Sequence, residues 1–176
     1  MLQRSDWQVL NYLTLAKEPA FVSQIARETG LGKSSVSRAL RTLKKYSFIK
    51  NVQRGKSIFF EVDKRYSAVP KIRIALNLIE IEPKLTALKK SVNKIVLYGS
   101  CSKGIDTSES DVDLLVITSD KMKAIHITQN IKFNRRAQWV IKTPQEYVIL
   151  NNKEPVFAEE LAAGITLWEA DETTRI

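Results

Sequence analysis

The sequence predicts an α+β protein of two domains, and three observations lead there. Residues 1–48 carry helical periodicity and are followed by two β-rich runs around a Gly-containing tip. From residue 95 onward, short apolar and β-branched runs alternate with helical patterns. Charge is also uneven: residues 1–66 hold 13 Lys and Arg against 5 Asp and Glu, whereas residues 67–176 hold 15 against 14. The expected division is a basic N-terminal domain over 1–66, a helical connector over 67–93 and a C-terminal domain over 94–176.

Each element has its own warrant. Ser5-Asp6-Trp7-Gln8 has capping-box spacing, so a first helix is expected from there. Its buried stripe would be Trp7, Leu10 and Leu13, with Val9 and Leu15 as further candidates, and Glu18-Pro19-Ala20 stops it. Ser23 reads as the cap of a short helix over Gln24–Thr29, closed by Gly30. In the third helix Leu31, Val36, Leu40, Leu43 and Phe48 fall near helical spacing, which turns Arg38, Arg41, Lys44 and Lys45 outward. A hairpin follows with Gln53-Arg54-Gly55-Lys56 at its tip. The connector reads as helices over Ala68–Ile81 and Lys84–Lys90, with Pro70 and Pro83 near their starts. Then come a strand at Ile95–Tyr98, a Gly/Ser-rich loop over Gly99–Ser110 with a helical turn, and a strand at Val112–Thr118. A helix at Lys121–Asn130 leads to a third strand at Ala137–Ile141. Helices at Glu146–Asn152 and Phe157–Gly164 flank Pro155, and a last strand spans Ile165–Glu169.

Composition narrows the function classes. Apolar residues make up 44% of the 176 and charged residues 27%, a balance that folds. Apolar runs such as Leu114–Ile117 fall far short of the ~20 residues that span a bilayer. With no apolar signal region at residue 1 either, no membrane association and a cytoplasmic location are expected. The single cysteine, Cys101, and single histidine, His126, cannot build a disulfide or a zinc site. A basic first third on a nearly neutral remainder points to a polyanionic partner, most simply nucleic acid.

Helix, short helix, tight glycine turn, basic helix and basic hairpin follow one another, and the wording QIARETGLGKSSVSRALRTLKKYSFI strongly resembles the recognition segment of winged helix-turn-helix regulators. A helix about 10 Å across fits the major groove of double-stranded DNA while a hairpin lies along the adjacent backbone. By that resemblance Lys33, Ser34, Ser35, Ser37 and Arg38 face bases or nearby phosphates, and Arg54 and Lys56 ride in the wing. Transcription regulation and a homodimer are the default expectations for such a module.

The second signal is LYGSCSKGIDTSESDVDLLVI, residues 97–117. Two aspartates two residues apart share one face of a strand. Such close anions become reasonable when a hard cation such as Mg²⁺ or Mn²⁺ and a phosphate neutralise them. A Gly-Ser pair, separated from the first aspartate by ten residues, lets backbone amides approach phosphates. The stretch resembles the signature of the nucleotidyltransferase superfamily typified by DNA polymerase beta, in particular its minimal archaeal and bacterial members. AQWVIKTPQEY and FAEELAAGITLWE are similar to that family's third strand, following helix and closing strand. The resemblance implies a mixed sheet flanked by helices, with Asp111 and Asp113 as catalytic metal ligands. It also implies that Gly99, Ser100, Lys103 and Ser110 bind a nucleoside triphosphate (NTP), which is the substrate or ligand. Members transfer a nucleoside monophosphate to a hydroxyl and release pyrophosphate.

This chain departs from the pattern at two positions. The register set by Thr143-Pro144 places Gln138 where active members carry a third carboxylate, and glutamine cannot act as a base or add charge for a second metal. Lys103 stands where the family often has arginine and lacks the bidentate fork. Two readings therefore stand side by side. One is a DNA-binding protein that binds Mg-NTP and transfers a nucleotide to some acceptor. The other is a non-enzymatic regulator, or an antitoxin-like protein, whose degenerate domain senses nucleotide or docks a protein partner. Residues assigned to packing or solvated roles are His126, Cys101, and the basic run Lys132, Arg135 and Arg136, while Trp7, Trp139 and Trp168 are expected in the core.

Overall fold

The computed structural model describes residues 1–170, so the last six residues of the expected C-terminal domain lie outside the described residues. The chain divides into two compact units. One comprises residues 1–73 together with 106–108, and the other residues 74–105 together with the chain from 109 onward. The segment expected as a connector is thus shared out. Helix α4 (Ala68–Ile81) begins in the first unit, where Val69 joins its core, and ends in the second, where Ile81 does the same.

The first unit contains α1 (Arg4–Leu15), α2 (Val22–Thr29), α3 (Lys33–Lys45), β1 (Ile49–Arg54) and β2 (Ser57–Val62). Helix α1 is capped by Gln3, two residues before the Ser5 expected. The Gln3 amide donates to Asp6 Oδ2 at 2.8 Å, because a charged acceptor holds an N-terminal amide better than a neutral hydroxyl. Its buried face is Asp6, Val9, Leu10 and Leu13, a 3.6-residue stripe that leaves Trp7 39% exposed, so Trp7 is not core. Helix α2 likewise begins at Val22, with Phe21 rather than Ser23 at its cap, and ends at left-handed Gly30 as expected. Val36, Ala39, Leu40 and Leu43 turn α3 inward onto α1. Strands β1 and β2 pair antiparallel around Gly55-Lys56, and Ala20 and Phe60 exchange backbone hydrogen bonds that tie the hairpin to the α1–α2 segment.

In the second unit a 3₁₀ turn (Glu82–Leu85) and α5 (Thr86–Lys89) follow α4. Then come β3 (Lys94–Tyr98), α6 (Gly99–Lys103), β4 (Val112–Ile117), α7 (Lys121–Thr128), β5 (Ala137–Lys142), α8 (Pro144–Lys153), α9 (Pro155–Ala162) and β6 (Ile165–Glu169). The sheet runs β5-β4-β3-β6, with β4 and β5 parallel and the other pairs antiparallel, so it is mixed. Period-2 alternation splits its side chains between two cores. Ile95, Leu97, Val112, Leu114 and Val116 enter one, while Val96, Tyr98, Leu115 and Ile117 enter the other beside Leu150 of α8 and Leu161 of α9. Trp168 is 37% exposed, against the core placement expected: on edge strand β6 the inward residue is Leu167, and alternation turns its neighbours out. Trp139 packs at the margin of the first of these cores, 6.1 Å from Phe133.

Candidate functional site

In the first unit, Lys33, Ser34 and Arg38 are exposed on α3, and Ser35 and Ser37 are partly exposed, all off its buried stripe. Arg54 closes β1 and Lys56 sits in the turn. Arg54 Nη2 lies 3.2 Å from Glu18 Oε2, and the guanidinium is 5.5 Å from the Phe59 ring centre. A groove of about 470 Å³ beside Lys33 is lined by Phe21, Val22, Ile58 and Phe59, with Phe21 and Ile58 exposed. Neither this apolar lining nor Glu18 was marked by the sequence pattern, which scores Phe and Ile on a strand as core.

In the second unit the chain leaves β3 at Tyr98 and turns at Gly99, whose φ of +68° is left-handed. A side chain here is excluded twice over. The backbone disfavours one, and a Cβ would strike Asp113 Oδ2, with Asp113 Cγ at 3.2 Å. The glycine is therefore what lets a carboxylate lie flat against the start of the loop. Register completes the picture: Asp113 faces Tyr98 across β3 and Gln138 across β5. The position opposite the second aspartate is thus neutral, and Gln138 is exposed there. Asp111 lies just before β4 rather than inside it, and its carbonyl accepts a hydrogen bond from Cys101 Sγ at 3.3 Å. Buried Cys101 thus ties α6 to the strand that carries the carboxylates. Ser102 Oγ donates to the Gly99 carbonyl at 2.9 Å, while Ser100 and Ser110 are partly exposed at the two ends of the loop.

The contribution of Glu160 to the charge around Asp113 is what sequence reasoning missed. The Asp113 pKa is raised above the usual carboxylate value, first by burial, then by Asp111, then by Glu160 of α9. The Tyr98 phenol is pushed up to about 12 by burial, Asp113 and Glu160. Glu160 is brought here because α9 docks through Phe157, whose ring stands edge-on to Tyr98 at 5.5 Å, and through buried Leu161. Glu160 Oε1 also accepts Lys103 Nζ at 3.3 Å, so the expected phosphate-binding cation faces a carboxylate across the loop. In EELAA nothing local tells Glu159 from Glu160. Among the described residues neither Asp111 nor Asp113 is paired with a lysine or arginine, and no group of three or more His, Cys, Asp or Glu side chains converges as a ready metal-ligand set.

Among the described residues no helix is long and apolar enough to cross a membrane. The IclR helix-turn-helix domain model matches residues 7–52, the α1 to β1 stretch. The model described as Polymerase beta, Nucleotidyltransferase matches residues 80–173, just over half of the chain and the part holding Gly99, Asp111 and Asp113. No curated protein matches the chain. Similar solved structures include a mutant of Lactococcus lactis ZitR, at 16% identity over 51% of this chain and 60% of that one, with a TM-score of 0.39. Another is Lactococcus lactis ZitR described as a zinc-responsive MarR family member, at 18% identity over 51% and 62%, again at 0.39. The chain spans about three fifths of the length of these proteins. With strands, carboxylate pair and Gly-Ser turn falling inside the matched region, the chain belongs to the polymerase beta nucleotidyltransferase family and carries an IclR-type helix-turn-helix DNA-binding domain ahead of it.

Proposed function

We propose that this DNA-binding protein holds a nucleoside triphosphate with Mg²⁺ or Mn²⁺ at Asp111 and Asp113 and transfers nucleotide poorly. The observation that carries the reading is the setting of Asp113: a half-buried carboxylate occupying the space that a Cβ on Gly99 would need, amid like charge from Asp111 and Glu160. Such a cradle is unfavourable unless a cation completes it. Asp111 and Asp113 fit a hard divalent ion, which would supply charge neutralisation at the phosphates. Gly99 and Ser100 would offer close approach to the phosphate chain, and Lys103 would exchange Glu160 for a phosphate oxygen. Gln138 supports poor transfer, since it offers a hydrogen bond but neither charge nor a proton acceptor.

The test is calorimetry of the whole chain with Mg-ATP and Mg-CTP. Binding that disappears in Asp113→Asn supports the site, and absence of heat with every triphosphate removes it. Transfer of labelled nucleotide is expected to be weak and to rise in Gln138→Asp. The first domain would act as a homodimeric regulator on double-stranded DNA, with α3 in the major groove and Arg54 and Lys56 on phosphates. Its affinity should fall steeply with salt.

A further inference from the structure

The loop between Lys103 and Asp111 does not stay with the nucleotide site. Its middle residues, Asp106–Ser108, belong to the first unit. There the Asp106 side chain is fully buried, and its Oδ2 accepts Arg73 Nε at 3.0 Å and Nη2 at 2.9 Å. Arg73, itself only 3% exposed, also donates from Nη1 to Asn11 Oδ1 on α1 at 2.6 Å, and the Ser108 amide donates to the Leu15 carbonyl at the end of α1 at 3.1 Å. Replacing a buried ion pair by well-packed apolar residues of similar volume is often neutral for stability, so the geometry that this pair fixes is of more interest than its contribution to stability. It fixes three residues of the loop against α1, whose Val9, Leu10 and Leu13 share one core with Val36, Leu40 and Leu43 of the DNA-binding helix.

Inside the second unit the start of the same loop is held in place. The Ile105 amide closes α6 onto the Ser100 carbonyl at 3.2 Å. Asn77, fully buried one turn after Arg73 on α4, donates to the Cys101 carbonyl at 3.0 Å and accepts Arg135 Nη2 at 3.1 Å. Lys103 lies three residues before Asp106, and Asp111 three residues after Ser108. Three residues span at most ~10 Å, so displacements at either end have little slack in which to dissipate.

We infer that nucleotide occupancy of the Asp111/Asp113 site changes the DNA affinity of the first domain through the strap Asp106–Ser108, with Arg73 as its positioning residue. This rests on the nucleotide-binding reading above. Coupling of this kind is reciprocal: whatever factor the nucleotide imposes on DNA binding, DNA imposes on nucleotide binding.

The test uses the full chain and a fluorescein-labelled mixed-sequence duplex at low salt, titrated by anisotropy with and without saturating Mg-ATP. A change in Kd of about fivefold or more is expected, the lower end of ordinary coupling. Calorimetry of Mg-ATP with and without the duplex should return the same factor. Asp106→Asn should bind each ligand singly while the factor falls toward one. Should that variant fail to fold, Asn11→Ala, which keeps the ion pair, should reduce the factor. Mg-ATP binding that leaves the duplex Kd unchanged overturns the coupling alone, as does a full factor persisting in both variants. Absence of any Mg-ATP binding overturns the site reading and this inference together.

Discussion

Replacing Gly99 by alanine separates a backbone effect from a contact with the carboxylate, and the structure contains its own control. A left-handed backbone costs an L-residue about 1–2 kcal/mol. At Gly30, with φ +69°, a new Cβ meets nothing within 4 Å, so Gly30→Ala should register that cost alone. Gly99 has φ +68°, so the backbone cost is the same, but the methyl also collides with Asp113 Oδ2 and crowds Cγ at 3.2 Å. The cheapest relief is to turn the carboxylate off its rotamer, at about 0.5–1.5 kcal/mol, for a total of roughly 1.5–3.5 kcal/mol. Asp113→Ala removes Oδ2 and Cγ and leaves only Cβ at 3.4 Å, an ordinary contact, so the excess should vanish in the double variant. A double-mutant cycle by urea unfolding, followed by circular dichroism, should therefore show a coupling of about 0.5–1.5 kcal/mol. If the carboxylate must swing back to bind, Mg-ATP affinity in Gly99→Ala should drop roughly 2- to 13-fold, the same energy expressed as a ratio. Additive effects, or a Gly99→Ala cost no greater than that of Gly30→Ala, would refute the idea that this glycine exists to seat Asp113.

Three further outcomes are expected. Arg73→Met alone should destabilise by about 3–5 kcal/mol, because it strands the buried Asp106 carboxylate, whereas Arg73→Met combined with Asp106→Leu should lie near the parent in urea midpoint. Glu18→Gln should release Arg54 and tighten duplex binding by anisotropy; an exposed pair is worth about 0.2–1 kcal/mol, so the gain is at most about fivefold. Asp113 carries a sign that can be checked. Its folded pKa lies above the usual 3.8, so the folded state keeps its proton to higher pH than the unfolded chain does. Stability is therefore lost as pH rises from 3.8 through the raised value, and Asp113→Asn should lack that loss when urea midpoints are followed across pH without divalent ions.

Local signals carried much of the fold. Gly30, the Gly55-Lys56 turn, α4 and β6 lie where their own residues place them, since turn chemistry and hydrophobic period act over a few positions. Gly99, Asp111 and Asp113 stand out in the sequence by residue type and short spacing, whereas Gln138, on a different strand, was singled out only through the family resemblance and the Thr143-Pro144 register. Trp7 and Trp168 were not, because the residue that faces a core depends on the neighbour an element meets, and both tryptophans stand one step off the chosen face. Glu160 and Asp106 were invisible for the strongest version of that reason. One reaches the site through the packing of Phe157 and Leu161 of α9, and the other is paired in its buried setting with Arg73, 33 residues upstream.

The excursion of Asp106–Ser108 has a practical consequence for anyone dividing this protein. No single cut yields both halves intact: a fragment beginning after residue 73 keeps Asp106 but forfeits its guanidinium partner, and one ending there keeps the guanidinium without its anion. The two modules are interleaved rather than strung in series. Shuffling either one onto another scaffold, in the laboratory or over evolutionary time, requires carrying or redesigning a three-residue inlay from the opposite gene segment.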